Sequence, residues 1–243
     1  MAQLILTFQD LYNEVLKFIG TYKSGSPETA DSDNAKFIVN RAYARLLGWA
    51  DWTFLYRWDK LLTKDTEWQY ELPTSFSCLV NDKFFFDADE TFAPTESRSG
   101  ADIITLRTDN DWSSWPYHHA IVAGRYDKEA GQRWEAWFYP TPDTTYPLWY
   151  FYRIMPQKLV ETTDFPIGGA EASDAVLQLS LAYAEAYKEE KQDVQNAKVG
   201  EVLGPLKRLD DKRRPSCLGG MDGLKRVLRI NKQSVDDIAD NIV

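Results

Sequence analysis

The chain has 243 residues, 44% of them apolar, which is enough for a substantial core in one or two domains, and a formal net charge of −9. It holds no run of about 18 apolar residues able to span a membrane, and its first residues lack the basic start and cleavage site of an export signal. The expectation is a protein made in a cytosol and not exported, with a globular rather than disordered body. Cys78 and Cys217 lie far apart and form no CxxC motif, so neither a disulfide framework nor a zinc site is expected, and Cys78 reads as a small buried apolar residue. The acidic balance excludes nucleic-acid binding by overall phosphate neutralisation.

Thr7 followed by Asp10 has the form of a capping box, and Leu11, Val15, Phe18 and Ile19 then recur at helical spacing up to Gly20. A loop follows over residues 21–29, with Gly25, Ser26 and Pro27. Asp31 or Ser32 caps a second predicted helix that carries Ile38, Ala42 and Leu46 on one face and ends near Gly48 or Trp52.

From about Leu61 the period changes to two, beginning with Trp68, Tyr70 and Leu72. Further strands are predicted over residues 79–86, 102–107, 119–126, 133–139 and 148–153, separated by turns at 127–131 and 140–143. Their length and spacing suggest a compact antiparallel sandwich or barrel. Along 133–139, alternation puts Trp134, Ala136 and Phe138 on one face and Glu135, Trp137 and Tyr139 on the other, so both faces are expected to be covered.

Helical period returns after Gly168 and Gly169, with Val176, Leu179, Tyr183 and Tyr187 on a face beside small residues that admit a neighbouring helix. Another helix is predicted from Asp193 to about Leu209, weakened by Gly200, Gly204 and Pro205. Helices this short need burial to be stable. The expected class is therefore α+β: a discontinuous helical bundle built from residues 1–60 and 169–210, with an inserted antiparallel β-sandwich or barrel-like domain at 61–168 and a C-terminal arm at 211–243.

Charge is uneven. Residues 207–232 hold nine basic side chains against three aspartates, a balance of +6 that leaves −15 on the rest. Such asymmetry points to a basic arm seeking an acidic partner, the alternative being a solvated basic helix end. Near the end, Ser234 and Asp237 form a possible cap for a short segment with Val235, Ile238 and Ile242 at helical spacing.

No catalytic residues, metal site or cofactor are read from this chain. Tyr22 stands where a phosphate-cradling loop before Lys23 and Ser24 needs glycine, and no GxGxxG or GxSxG occurs. His118 and His119, the only histidines, would point to opposite faces of a strand and cannot chelate one ion. The 37 acidic residues are too many for any one pair to stand out as a general acid and base. The tryptophans of the β segment, with Trp112, Trp115 and Trp137 as interface candidates, fit a packing core, a protein interface or a carbohydrate site.

The stretches Leu6-Thr7-Phe8-Gln9-Asp10-Leu11, Phe37-Ile38-Val39-Asn40-Arg41-Ala42-Tyr43 and Trp49-Ala50-Asp51-Trp52 resemble the head-to-tail adaptor (connector) proteins of tailed bacteriophages. So do the strand Leu148-Trp149-Tyr150-Phe151-Tyr152-Arg153, the turn Phe165-Pro166 and a helix over 176–191. The similarity covers the chain to about residue 210 in pattern and order. It implies a non-enzymatic virion protein at the head-tail junction, docked beneath the portal protein as a twelve-fold ring and extending the DNA channel during packaging and ejection. Tail or nozzle proteins would lie below it, genomic DNA would pass without sequence-specific binding, and no membrane would be involved. By the same resemblance a C-terminal arm engages the portal, which here would use Lys207, Arg208, Arg213, Arg214, Lys225, Arg226 and Arg229. An acidic body suits a conduit wall that does not retain DNA, and repetition around a ring strengthens a weak arm contact.

Three other functions compete: a stopper or tail completion ring, a carbohydrate-binding tail accessory module using the aromatic segment, and a hydrolase with an unrecognised carboxylate pair. The free protein is expected to be mainly monomeric, with an arm that orders on its partner.

Overall fold

A computed structural model describes residues 4–20, 29–87, 91–128, 131–188 and 193–213. Helix α1, Phe8–Ile19, begins at the expected capping box: Thr7 Oγ1 accepts from the Asp10 amide at 3.1 Å, and the Asp10 carboxylate accepts from the Thr7 amide at 3.0 Å. These bonds to Thr7 hold the Asp10 carboxyl below its ordinary range. The amides of Phe8 and Gln9 donate to Asp164 O and Thr162 O, so the first turn has partners for its exposed donors. Gly20, at φ +86°, closes the helix in the left-handed conformation that suits glycine.

Helix α2, Thr29–Trp49, buries the expected Ile38, Ala42 and Leu46, and a 3-10 turn at Thr53–Leu55 leads into the strands. These are β1 Tyr56–Leu62, β2 Gln69–Glu71, β3 Phe76–Phe86 and β4 Glu96–Ser97, then helix α3 Gly100–Asp109, then β5 His118–Asp127, β6 Gly131–Tyr139 and β7 Pro147–Ile154. Helices α4, Ala170–Lys188, and α5, Asp193–Arg213, follow, with Pro205 inside α5.

The strands form two open sheets. One has the order β1-β7-β3, with both pairings antiparallel. The other has the order β2-β6-β5-β4, with β4 parallel to β5. They share an aromatic core of Phe76, Phe84, Tyr150 and Tyr152 from the first sheet and Tyr70, Ala136 and Phe138 from the second. The far side of the second sheet is covered by α3, whose Ile103 packs with Ala120 and Tyr139, with Trp137 alongside. Both faces of β6 are thus occupied, as its alternation predicted.

The α+β class holds, but the expected architecture does not describe this molecule. It is mixed α+β, with five helices and two sheets, of three and four strands, among the described residues, neither sheet closed into a barrel. A discontinuous bundle carrying a self-contained β insert is not what is seen. Ile154 at the end of β7 packs on both the helical and the aromatic cluster. Arg153 donates to Leu47 O of α2 at 3.0 Å, and Asp210 of α5 binds Thr53. Contacts of this kind join helices and strands instead of setting them apart.

Two local expectations fail for identifiable reasons. Residues 102–107, read as a strand, lie in α3. Their β-branched composition imitates a strand, but Ser99 and Asp102 form a second capping box, and Ile103 and Leu106 face inward at helical spacing. Cys78 is exposed, not buried. Alternation from buried Phe76 would turn it inward, yet a register shift between Phe76 and Cys78 passes the inward position to Leu79.

Among the described residues no helix is long and apolar enough to cross a membrane.

Candidate interaction surface

On β1-β7-β3 the inward residues of β7 are Leu148, Tyr150 and Tyr152, and the alternate set, Trp149 and Phe151, faces away from the shared core. Pairing adds Trp58 and Lys60 of β1, opposite Phe151 and Trp149, and Phe85 of β3, opposite Trp149. The result is an outward aromatic face in which Trp58 is 58% exposed and Trp149 36%. Leu62 is exposed on the same strand as Trp58.

The rings cover one another. Trp58 stacks on Phe151 at 4.7 Å and 21°, Tyr56 meets Phe151 edge-on at 5.2 Å, and Phe85 lies 6.4 Å from Trp58. The Lys60 ammonium sits 5.0 Å from the centre of Trp149. Asp87 then accepts from Lys60 Nζ at 3.0 Å and from Trp149 Nε1 at 3.3 Å. Sugar stacking needs an open ring face, whereas a protein interface needs large, rigid, partly polar side chains held in place. This arrangement has the second character.

The three tryptophans singled out from the sequence lie elsewhere. Trp112 is exposed, and its Nε1 donates to Tyr139 Oη at 3.0 Å. Trp115 stacks on Phe92 at 4.9 Å and 14°. Trp137 packs edge-on against Trp68 at 5.2 Å beside α3 and donates to Glu135 at 3.0 Å. Trp112 and Trp115 each approach Tyr117, at 6.3 and 5.4 Å, but the three make no common exposed face. Sequence reasoning passed over Trp58. Its signal was the i, i+2 run Trp58, Lys60, Leu62, yet only strand pairing shows that this run meets Trp149 and Phe151 on an uncovered face.

Of the basic residues proposed for the arm, Lys207, Arg208 and Arg213 belong to the last turns of α5. Lys207 pairs with Asp211, and Arg213 Nη2 lies 4.0 Å from Glu171. Arg208 lines an open groove between α4 and α5 of about 540 Å³, together with Glu171 and Asp174 of α4 and Glu201 of α5. Leu203 and Leu206 of this helix are buried in the helical core, and Leu206 also lines the groove. The remaining four, Arg214, Lys225, Arg226 and Arg229, lie outside the described residues.

Among the described residues no group of three His, Cys, Asp or Glu side chains is placed to hold a metal ion. The two histidines of β5 part as their alternation requires. His118 faces Glu96, with Nδ1 3.7 Å from its carboxylate. His119 is fully buried, with Phe84 edge-on at 5.0 Å and Nδ1 2.8 Å from Thr95 Oγ1. Thr95 Oγ1 also accepts from the Phe84 amide at 3.1 Å, so one hydroxyl links β3 to the His119 ring. Burial, then the neighbouring His118, pushes the His119 imidazole down to about 4. A neutral ring sealed from solvent is a structural tie between β3 and β5 rather than a proton-transfer group.

In comparison with known proteins, no family model and no curated protein matches this chain.

Proposed function

We propose that this protein is a structural component of a bacteriophage virion, a head-to-tail adaptor that docks beneath the portal as a ring and extends the DNA channel towards the tail. The observation that supports this most is the outward face of β1-β7-β3, where aromatic side chains are immobilised by stacking and by the Lys60–Asp87–Trp149 bonds yet remain accessible. Assembly proteins need such surfaces, since rigid aromatics bury large area at small cost in conformational entropy. The sequence resemblance supplies the assembly in question. The acidic body is compatible with a wall that repels phosphate, and the basic residues beyond α5 are compatible with an acidic pocket on the portal. A carbohydrate site is less well supported, because on this face the exposed Trp58 and Trp149 rings already carry a ring and a cation neighbour.

The test is reconstitution. Full-length protein is mixed with the portal protein of the same phage and imaged by negative-stain electron microscopy. An added ring coaxial with the portal is the expected result. Replacing Trp58 and Trp149 together by serine should weaken ring formation at least tenfold while leaving the circular dichroism spectrum unchanged. Replacing Lys225, Arg226 and Arg229 by glutamate should abolish attachment. Failure of the unaltered protein to bind the portal, or glycan binding lost in the tryptophan variant, overturns the reading.

A further inference from the structure

Between α2 and α4 runs an open groove of about 370 Å³, walled by Phe37, Ile38, Tyr183 and Tyr187. Phe37 is 67% exposed and Tyr187 68%. The α4 face that buries Val176 and Leu179 thus continues past the core and ends uncovered. Among the described residues the charged side chain lining the groove is Arg41, whose guanidinium lies 5.0 Å over the ring of Tyr183.

Grooves between helices accept amphipathic helices through anchors at i, i+3 and i+7. The chain contains that pattern outside the described residues, at Val235, Ile238 and Ile242. The same ten residues, 234–243, carry Asp236, Asp237 and Asp240 and no Lys or Arg, which complements Arg41.

Reach is adequate. Arg213 lies beside Glu171 near the start of α4, and Tyr187 near its end is about 24 Å away at helical rise. The 21 residues from 214 to 234 could span up to about 70 Å if extended, well beyond that distance.

We propose that residues 235–242 of the same chain occupy the α2–α4 groove, with Val235, Ile238 and Ile242 against Phe37, Ile38 and Tyr183 and the aspartates towards Arg41. Occupancy covers apolar surface that would otherwise favour association between copies. This inference does not depend on the adaptor reading.

Disulfide trapping in the full-length chain tests it. In a Cys78→Ser, Cys217→Ser background, Ile238→Cys is paired with Ala186→Cys in the groove or, as reference, with exposed Glu171→Cys. An unbound segment would meet position 171, beside Arg213, at least as readily as position 186. Under mild oxidation the 238–186 pair should close within one chain at least tenfold faster than the 238–171 pair, read by non-reducing electrophoresis and mass spectrometry. Arg41→Glu should slow the first reaction at least threefold. A rate ratio below tenfold overturns the proposal, and so does a disulfide-linked dimer, which would place a neighbouring copy's segment in the groove. An Arg41→Glu rate within threefold of the parent overturns the assigned orientation.

Discussion

Both carboxylate oxygens of Asp210 lie 3.1 Å from the backbone nitrogen of Thr53, and one of them also accepts from the Thr53 hydroxyl at 2.6 Å. Asp210 is 1% exposed, so this buried carboxylate ties the last turn of α5 to the point where the chain leaves α2 for the first sheet. Asp210→Ala would leave an amide and a hydroxyl without that acceptor. Hydrogen bonds to a charged group contribute about 1.5–3 kcal/mol, so the variant should lose about 2–3 kcal/mol of unfolding free energy in urea. A loss below about 0.5 kcal/mol would show that water replaces the carboxylate.

His119 makes stability depend on pH in a defined window. The unfolded chain takes up a proton near pH 6.5, whereas the buried ring resists it down to about 4. The unfolded state therefore binds more protons between those values, and stability is whole above pH 6.5 and falls as pH drops towards 4. The full effect is about 3 kcal/mol. His118, also pushed down by burial, acts in the same direction. The depressed carboxyls of Asp10 and Asp102 lose their contribution lower, as pH falls below 3.8. His119→Leu should flatten the stability profile between pH 4 and 6.5, measured by thermal melts across that range. An unchanged slope would refute the buried neutral ring.

Two glycines with positive φ should respond differently to alanine. At Gly20 a methyl group meets nothing within 4 Å, so the cost is that of the left-handed backbone, about 1–2 kcal/mol. At Gly168, with φ +112°, the added carbon would fall 2.6 Å from Ala172 Cβ and 3.0 Å from Phe54 Cζ. Gly168→Ala adds steric conflict between the start of α4 and the 3-10 turn to backbone strain. Denaturant midpoints should show it to be the more damaging change by at least about 1 kcal/mol.

Ser99→Ala should cost about 1 kcal/mol by removing the acceptor for the Asp102 amide. Because α3 covers Trp137 and Ala120, local hydrogen exchange of α3 should accelerate more than that of α1. Equal acceleration would mean that α3 does not open independently.

Much of the local structure was legible along the chain. The capping box at Thr7, the stop at Gly20, the strands around 79–86, 119–126, 133–139 and 148–153, and the long final helices all follow from dihedral preference and hydrophobic period, which act over a few residues. Where short-range signals conflicted, as in α3, where β-branched residues opposed a cap, the reading went to the wrong side. A one-residue shift in β3 likewise sent Cys78 outward, because period-two logic does not survive an irregularity that only the partner strand reveals.

The candidate surface was not legible for a related reason. In Leu148-Trp149-Tyr150-Phe151-Tyr152 both alternate sets are large and apolar, so period alone does not say which is core. Pairing of β7 between β1 and β3, and the second sheet covering one side, decided that Tyr150 is buried while Trp149 and Trp58 look outward. The sequence by itself determined the terminal helices and the strands around 79–86, 119–126, 133–139 and 148–153, since these depend on neighbours in the chain. Only tertiary structure decided which faces are covered, that the sheets stay open, and that α5 returns Asp210 to Thr53, because those depend on contacts between residues far apart in the chain, 157 positions in the case of Thr53 and Asp210.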